Sequence, residues 1–294
     1  MKIRKAIITC AGFGTRFLPI TKTIQKEMLP ILERPLIDYV VDDCIKAGIE
    51  DIIFVVNVHN YQVLHFYREN QRLREYLLAT HKEDLYKQIS DLHQKAQFHF
   101  VKQQDSDPYG TAVPVMLAKD YVKDEEAFLV LMGDDFVYSS NQTSEIAKMI
   151  DGFKHSAAQA AVTCVHKPTE LLHKYGVVES VWEGGWQFLQ RIIEKPALGQ
   201  APSNLVNISK YIFGPEIWPI LAKQTVNPSS GELYITDTVQ ALALDHKVLV
   251  HEPAGVYLDG GCPLGWLLAN LTVAKDQPEI WTQIREFVAQ NETS

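Results

Sequence analysis

The sequence predicts an α/β fold, in which a mostly parallel β-sheet carries helices on both faces. Short runs of β-branched and other apolar residues alternate along the chain with segments whose apolar side chains have helical spacing. The 294 residues are 46% hydrophobic and 22% charged, which is ordinary for a globular protein and excludes disordered or collagen-like chains. Alternation of this kind builds parallel sheets, because the helices that connect parallel strands cover both faces.

Residues 5–165 supply the strands of this predicted sheet. Five apolar runs are predicted to be strands: Lys5–Cys10, Asp51–Val56, Gln97–Val101, Phe128–Met132 and Ala158–Val165. A helix is predicted over Pro35–Ala47, where Leu36, Val40 and Cys44 recur at helical spacing and Gly48 follows as a C-cap.

Residues 61–95 are predicted to be a helical insertion, because they are rich in charged, helix-forming residues. One apolar stripe is predicted along it: Leu73, Leu77, Leu85, Ile89 and Leu92.

The pattern changes after about Gly176. Val177–Trp182 and Trp186–Ile193 flank Gly184-Gly185 and predict a hairpin, so we expect an antiparallel extension of the sheet. Residues 263–294 are predicted to be a C-terminal helical segment, which Pro278 divides. Because no repeat or linker interrupts the chain, residues 1–294 are predicted to form a single domain.

Composition also limits the partners that we expect. The formal net charge of −8 argues against sequence-independent nucleic-acid binding. No apolar run approaches the roughly 18 residues that span a membrane, and the apolar stretch after the basic start is too short for a secretory signal. Four cysteines lie far apart without zinc spacing. We therefore expect a cytoplasmic protein with free thiols and no membrane or nucleic-acid partner.

A glycine-rich segment, Ala11 to Arg16, follows the first predicted strand. Glycines at such a turn let backbone N–H groups approach a phosphate, although a plain tight turn would have the same pattern. A dinucleotide fingerprint requires a third glycine where Phe17 stands, and the P-loop pattern is absent.

Three cations follow within fifteen residues of Gly12: Arg16, Lys22 and Lys26. Pro19 and Pro30 prevent a continuous helix, so a long loop is expected at the carboxyl end of the strand, where open α/β sheets bind ligands. These cations suit a polyphosphate, and a solvated basic loop is the alternative.

Asp134 follows the strand Phe128–Met132 and is therefore expected at the same edge of the sheet. A carboxylate beside phosphates favours a hard cation such as Mg²⁺. A simple turn formed by Asp134 and Asp135 is the alternative.

The residues Ala11–Pro19, Thr21-Lys22 and Lys26–Pro30 together resemble the signature of sugar-1-phosphate nucleotidylyltransferases, and more closely that of the bacterial uridylyltransferases. The similarity continues through Pro35–Val41 and Ala47–Ile49 and recurs weakly to about Leu267. The resemblance implies a Rossmann-like sheet and a homo-oligomer. It also implies Mg²⁺-dependent transfer of a uridylyl group from UTP to glucose 1-phosphate.

The resemblance also implies a role for each matching residue. Nucleotide binding falls to Ala11, Gly12, Gly14, Thr15, Gln103 and Gly110. Catalytic charge stabilisation falls to Arg16, Lys26 and Lys195. The sugar side, built on the antiparallel extension, is formed by Gly176, Glu194 and Lys195, and the Mg²⁺ ligands are Asp134 and Asp259.

The sequence departs from the usual family residues at Gln25, in Gln104–Tyr109, at Asn207 and at Ser209. Use of dTTP or of another sugar 1-phosphate therefore stays open as an alternative. A non-catalytic, nucleotide-sugar-binding regulatory protein is a further alternative, but it would be expected to lack one of the lysines or metal carboxylates.

Overall fold

A computed structural model describes residues 1–291, and residues 292–294 of the predicted C-terminal segment lie outside the described residues. The strands, in chain order, are β1 (Lys5–Cys10), β2 (Pro30–Ile31), β3 (Arg34–Pro35), β4 (Asp51–Asn57), β5 (Gln97–Gln103), β6 (Phe128–Met132), β7 (Asp135–Tyr138), β8 (Ala160–His166), β9 (Gly176–Glu183), β10 (Trp186–Glu194), β11 (Leu205–Phe213), β12 (Val248–His251) and β13 (Val256–Asp259). The helices are α1 (Leu36–Lys46), α2 (Gln62–Phe66), α3 (Gln71–Ala79), α4 (Glu83–Lys87), α5 (Val113–Leu117), α6 (Lys119–Val122), α7 (Glu145–His155), α8 (Ile217–Leu221), α9 (Ile235–Asp245), α10 (Pro263–Ala274) and α11 (Pro278–Asn291).

Nine strands form one mixed sheet in the order β5-β4-β1-β6-β11-β8-β12-β10-β9. The pairings make seven of these strands point the same way, while β10 and β11 run against them. Two short ribbons, β7 with β13 and β2 with β3, complete the β-structure of residues 1–291. The predicted α/β class, the mostly parallel sheet and the five predicted strands are therefore confirmed.

Two apolar cores lie on opposite faces of the sheet, because neighbouring strand residues point to opposite sides. Ile8 and Phe54 join the core beneath α1, α7 and α10. Ile7 and Ile53 join the core beneath α5, α6, α8 and α9. The central strands are buried on both sides, so the polar residues that follow them lie where the strands end.

The predicted hairpin is confirmed, and it extends the sheet with antiparallel strands. Strand β11 contains a register shift between Asn207 and Tyr211, where Ser209 adopts a left-handed φ of 55°. The Asn207 side chain supports this bulge by accepting a hydrogen bond from the Ser209 N–H at 2.8 Å and donating one to the Tyr211 hydroxyl at 2.5 Å. Two residues that depart from the family pattern thus stabilise one local distortion together.

The insertion at 61–95 is helical, but the single apolar stripe expected along it is wrong. It folds into three short helices, α2 to α4, and a turn at Leu92–Gln94. Because the helices change direction, Leu77 and Leu92 are buried while Leu73 and Leu85 are exposed. At the other end of the chain, Pro278 begins α11, as its position in the sequence predicts.

None of the helices within residues 1–291 is long and apolar enough to cross a membrane.

One half-buried histidine makes the stability of the fold depend on pH. Burial lowers the pKa of His251 to about 4, Glu145 opposes this shift and Lys148 adds to it, and the histidine Nε2 has no hydrogen-bond partner among residues 1–291. Because the folded chain binds this proton more weakly than the unfolded chain, stability is lost as the pH falls from about 6.5 to 4.

We expect His251→Leu to reduce this acid sensitivity by up to about 3 kcal/mol in the free energy of unfolding. Urea unfolding at pH 7, 5.5 and 4 measures the difference, with the exposed His155→Leu as control. Equal loss of stability on acidification in His251→Leu and wild type would contradict the assignment.

Candidate active site

The glycine-rich loop leaves the carboxyl end of β1 and is ordered by three single turns, at Thr15–Phe17, Ile20–Lys22 and Lys26–Met28. Gly14 adopts a left-handed φ of 64°, and its carbonyl accepts a hydrogen bond from the Thr21 hydroxyl at 2.8 Å. Phe17, where a dinucleotide site would need glycine, is buried. The loop is therefore an ordered segment held by its own turns and hydrogen bonds, and it is not a simple tight turn.

Lys26 is the cation that this loop directs inwards. Its Nζ lies 2.6 Å from Asp134 Oδ2 and 3.8 Å from Glu27 Oε1. A Cβ on Gly12 would lie 3.4 Å from the same Nζ, so the backbone of Gly12 borders the ammonium group. Arg16 and Lys22 are exposed, so the loop offers one enclosed and two solvated cations.

Opposing charges shift the pKa values at this edge of the sheet. Burial disfavours charge on Lys26, but Asp134 and Glu27 outweigh it and raise the lysine pKa. Burial likewise acts to raise the pKa of Asp134, but Lys26 and then Arg16 hold it below its usual value. Glu27, buried and also close to Asp134, has its pKa raised to about 7. Asp134 is therefore charged at neutral pH, while Glu27 is divided between two protonation states.

Asp134 and Asp259 approach each other, although they belong to different parts of the chain. Asp134 follows β6, and Asp259 ends β13, which pairs with β7. A Cβ on Gly261 would lie 2.7 Å from Asp134 Oδ2 and 3.1 Å from Asp259 Oδ1. The two carboxylates thus face one small space that any side chain at 261 would fill.

The backbone around Asp259 is equally crowded. A Cβ on Gly265, in the first turn of α10, would lie 2.0 Å from the Asp259 carbonyl oxygen. The Gly261 N–H also donates to Asp259 Oδ1 at 2.9 Å. Helix α10 therefore packs directly against the strand end that carries this carboxylate.

A buried hub behind the two carboxylates was not predicted from the sequence. Lys210 forms an ion pair with Asp135, and the Tyr257 hydroxyl donates to Asp135 Oδ2 at 3.2 Å. Asp135 adjoins Asp134, and Tyr257 lies two residues before Asp259. The hub thus connects β11 to β7 and β13, the strands next to which Asp134 and Asp259 lie. No local sequence pattern indicates this contact.

On the nucleotide side, Gln103 ends β5 and is buried, and its Nε2 donates to the Pro108 carbonyl at 3.3 Å. Gly110 has a φ of 131°, and a Cβ there would lie 2.3 Å from the Leu233 carbonyl oxygen. The exposed rings of Phe13 and Tyr109 stack at 6.4 Å, so the first loop and the Gly110 turn border the same opening.

On the sugar side, Glu194 is the last residue of the hairpin strand β10, and Lys195 follows it. A Cβ on Gly176 would lie 3.1 Å from Glu194 Oε2, and that oxygen accepts a hydrogen bond from the Thr236 hydroxyl at 3.1 Å. Lys195 has a left-handed φ of 46°, and its N–H donates to the Tyr175 carbonyl at 3.0 Å. Such a conformation in a non-glycine residue is typical of functional positions.

The sequence-predicted residues therefore form three groups. Lys26, Asp134 and Asp259 form the central group, Gln103 and Gly110 the nucleotide side, and Gly176, Glu194 and Lys195 the sugar side. Tyr175 connects two of them: burial and then Asp259 raise its pKa to about 12, and Arg16 acts to lower it. The cations and carboxylates together suit a polyphosphate and a hard metal ion.

This arrangement defines a phosphate-handling α/β protein, and comparison with known proteins specifies the class. Residues 5–267 match the model of the family described as Nucleotidyl transferase, and the chain belongs to this family. The membership predicted from the first loop is thereby confirmed.

Two curated relatives span nearly the whole chain. It is 33% identical to UTP–glucose-1-phosphate uridylyltransferase of Bacillus subtilis (strain 168), over 98% of this chain and 96% of that protein. It is 34% identical to the protein of the same name from Staphylococcus epidermidis, over 98% of each.

Two solved structures are similar in both fold and sequence. UDP-glucose pyrophosphorylase complexed with UDP-glucose superposes with a TM-score of 0.81 at 31% identity, covering 93% of this chain and 99% of that one. UTP-bound UGPase from Acinetobacter baumannii gives a TM-score of 0.85 at 30% identity, covering 98% and 99%.

Proposed function

We propose that this protein transfers a uridylyl group from UTP to glucose 1-phosphate, giving UDP-glucose and pyrophosphate. The observation that carries the proposal is an enclosed lysine beside two facing carboxylates, with a second lysine linked to them through Tyr175. The full-length uridylyltransferase relatives support the choice of substrates.

The proposed reaction is an in-line displacement. A phosphate oxygen of glucose 1-phosphate attacks the α-phosphorus of UTP and forms the new P–O bond. The bond between the α-phosphorus and the oxygen bridging to the β-phosphorus breaks, and pyrophosphate takes its electron pair. The nucleophile is already an anion, so no enzyme side chain needs to become covalently attached, and positioning and charge stabilisation do most of the catalysis.

The basic residues have separate roles in this proposal. Lys26 and Arg16 bind the triphosphate and stabilise the negative charge that moves onto the leaving pyrophosphate. Lys195 neutralises the attacking sugar phosphate, so that two anions approach each other. Glu194, which Thr236 orients, accepts hydrogen bonds from sugar hydroxyls. Gln103 reads the base, and the backbone of Ala11, Gly12, Gly14 and Thr15 lies along the base and phosphates.

We further propose that Asp134 and Asp259 hold Mg²⁺. The donor set is suitable, because Mg²⁺ is usually held in proteins by one or two carboxylates together with substrate phosphates. The space that Gly261 leaves before both carboxylates supports this assignment. When bound, Mg²⁺ would supply positive charge to the phosphate oxygens.

We also propose a cytoplasmic homo-oligomer. All four cysteines are free thiols in the structure, which suits a reducing compartment. Helices α10 and α11 expose several large apolar side chains that suit a subunit interface: Leu264, Leu267, Leu268 and Phe287.

The first test concerns the metal site. We expect Gly261→Ala to weaken divalent-cation binding about tenfold or more, because its methyl group forces the two carboxylates to move. Electron paramagnetic resonance of free Mn²⁺ measures this binding without turnover. Gly152→Ala in α7, where a Cβ makes only ordinary contacts at 3.5 Å, is the control. Unchanged Mn²⁺ affinity in Gly261→Ala would refute the site.

The second test separates the two lysines. We expect Lys26→Ala to lower kcat about 10²–10³-fold, as does loss of a contact to developing negative charge. Lys195→Ala should instead raise the KM for glucose 1-phosphate more than the KM for UTP. Steady-state pyrophosphate release measures both, and the exposed Lys87→Ala in the insertion is the control. The division of roles is wrong if Lys195→Ala leaves the sugar-phosphate kinetics unchanged.

The third test offers the purified protein UTP, dTTP and CTP with several sugar 1-phosphates. We expect UTP to be preferred and dTTP to be used more slowly, since one methyl group is worth about 10–200-fold in specificity. CTP should be nearly inert, because its 4-amino group places a donor where the O4 acceptor of uracil would meet the remaining N–H of Gln103 Nε2, whose other N–H donates to the Pro108 carbonyl. Comparable kcat/KM values for CTP and UTP would reject both the Gln103 assignment and the uridylyl reaction.

A further inference from the structure

The segment Leu233–Thr236, here called the bridging segment, contacts both the nucleotide side and the sugar side. All four of its residues are buried, and it leads into helix α9. The Gln224 side chain fixes it further by donating to the Tyr234 carbonyl at 2.6 Å. The segment is therefore packed and hydrogen-bonded as one unit with the start of α9, and it is not a free loop.

Its first contacts are with the turn Tyr109–Ala112. The Leu233 N–H donates to the Tyr109 carbonyl at 2.9 Å, and the Ala112 N–H donates to the Leu233 carbonyl at 3.0 Å. The Ile235 N–H donates to the Thr111 hydroxyl oxygen at 2.9 Å. Because Ile235 is the first residue of α9, Thr111 satisfies one of the N–H groups that a helix leaves unpaired at its start.

Its second set of contacts is with Glu194 and Lys195. The Lys195 Nζ lies 5.1 Å from the centre of the Tyr234 ring, within range of a cation–π interaction. The Thr236 hydroxyl donates to Glu194 Oε2 at 3.1 Å. One short buried segment thus touches the turn that closes the base side and both sugar-side groups.

We propose that Thr111 and Tyr234 are positioning residues that couple the two substrate sites, an inference that rests on the proposed function. When the nucleotide fixes the turn at Gly110, Thr111 fixes the start of α9. Tyr234 and Thr236 move with that helix start, and they set the positions of Lys195 and Glu194. Nucleotide binding therefore organises the group that receives the sugar phosphate.

The test compares Thr111→Val, Tyr234→Leu and the double variant. Each single variant should raise the KM for glucose 1-phosphate about fivefold, the effect expected for one lost helix-capping contact in Thr111→Val and one lost cation–π contact in Tyr234→Leu. The affinity for UTP, measured by calorimetry, should change little. The double variant should be no worse than the poorer single variant, because both substitutions act through Lys195. Thr111→Ser retains the hydroxyl and should behave as wild type.

Matched controls exist in the insertion. Lys82 Nζ lies 5.5 Å from the centre of the Tyr76 ring, so Tyr76→Leu removes a similar cation–π contact far along the chain from the bridging segment. Thr80→Val removes a hydroxyl that hydrogen-bonds locally to the Tyr76 carbonyl. Neither control should alter the KM for glucose 1-phosphate.

Hydrogen–deuterium exchange gives a readout that needs no turnover. UTP should slow exchange at residues 192–196 in wild type but not in Thr111→Val. The coupling is overturned if UTP protects 192–196 equally in both, if Thr111→Val raises only the KM for UTP, or if the two substitutions are additive. Failure of the wild type to release pyrophosphate would reject the proposed function separately, since the exchange comparison still judges the coupling.

Discussion

The ion pair between Lys26 and Asp134 is the contact around which the site is organised. It joins residues 108 positions apart at 2.6 Å, and it does so because β1 and β6 are parallel neighbours whose carboxyl ends meet. Asp134 stands beside the buried Asp135 and faces Asp259, so three carboxylates would repel one another without cations between them. Lys26 balances this negative charge from the loop after β1 by pairing with Asp134, and Lys210 balances it from β11 by pairing with Asp135.

The two substrate sides depend on different kinds of support. The phosphate loop is stabilised locally by turns, a left-handed glycine and a threonine hydroxyl. The sugar side lies on the antiparallel hairpin and depends on a distant segment, since Thr236 and Tyr234 approach Glu194 and Lys195 from the start of α9. The corner formed by Glu194 and Lys195 is therefore supported by more distant parts of the chain than the loop after β1.

Much of the fold could be predicted because its signals are local. The apolar runs identified the strands, and Gly184-Gly185 identified the hairpin. The leucine stripe at 61–95 was misleading, because periodicity cannot register a change of direction such as that at His81, whose φ is 55°. The residue types around Gly12 and Asp134 suggested phosphate chemistry, and the family resemblance gave each residue a role.

The supporting contacts of the site could not be predicted in this way. Lys210 with Asp135, and Thr111 with Ile235, join positions 75 and 124 residues apart. Neither pair leaves a periodic or motif signal, because each depends on how strands and helices are assembled in three dimensions. From the sequence alone, a polar residue such as Thr236 looks like an ordinary residue of a helix start, because its hydrogen-bond partner is not apparent.

The close packing of Gly265 against Asp259 fixes the start of α10 to the strand end that carries this carboxylate. A Cβ on Gly265 would lie 2.0 Å from the Asp259 carbonyl oxygen, so the start of α10 directly supports the strand end that carries this carboxylate. A chain truncated after Gly261 would lose this support together with α10 and α11. Any displacement of the start of α10 would therefore also displace Asp259.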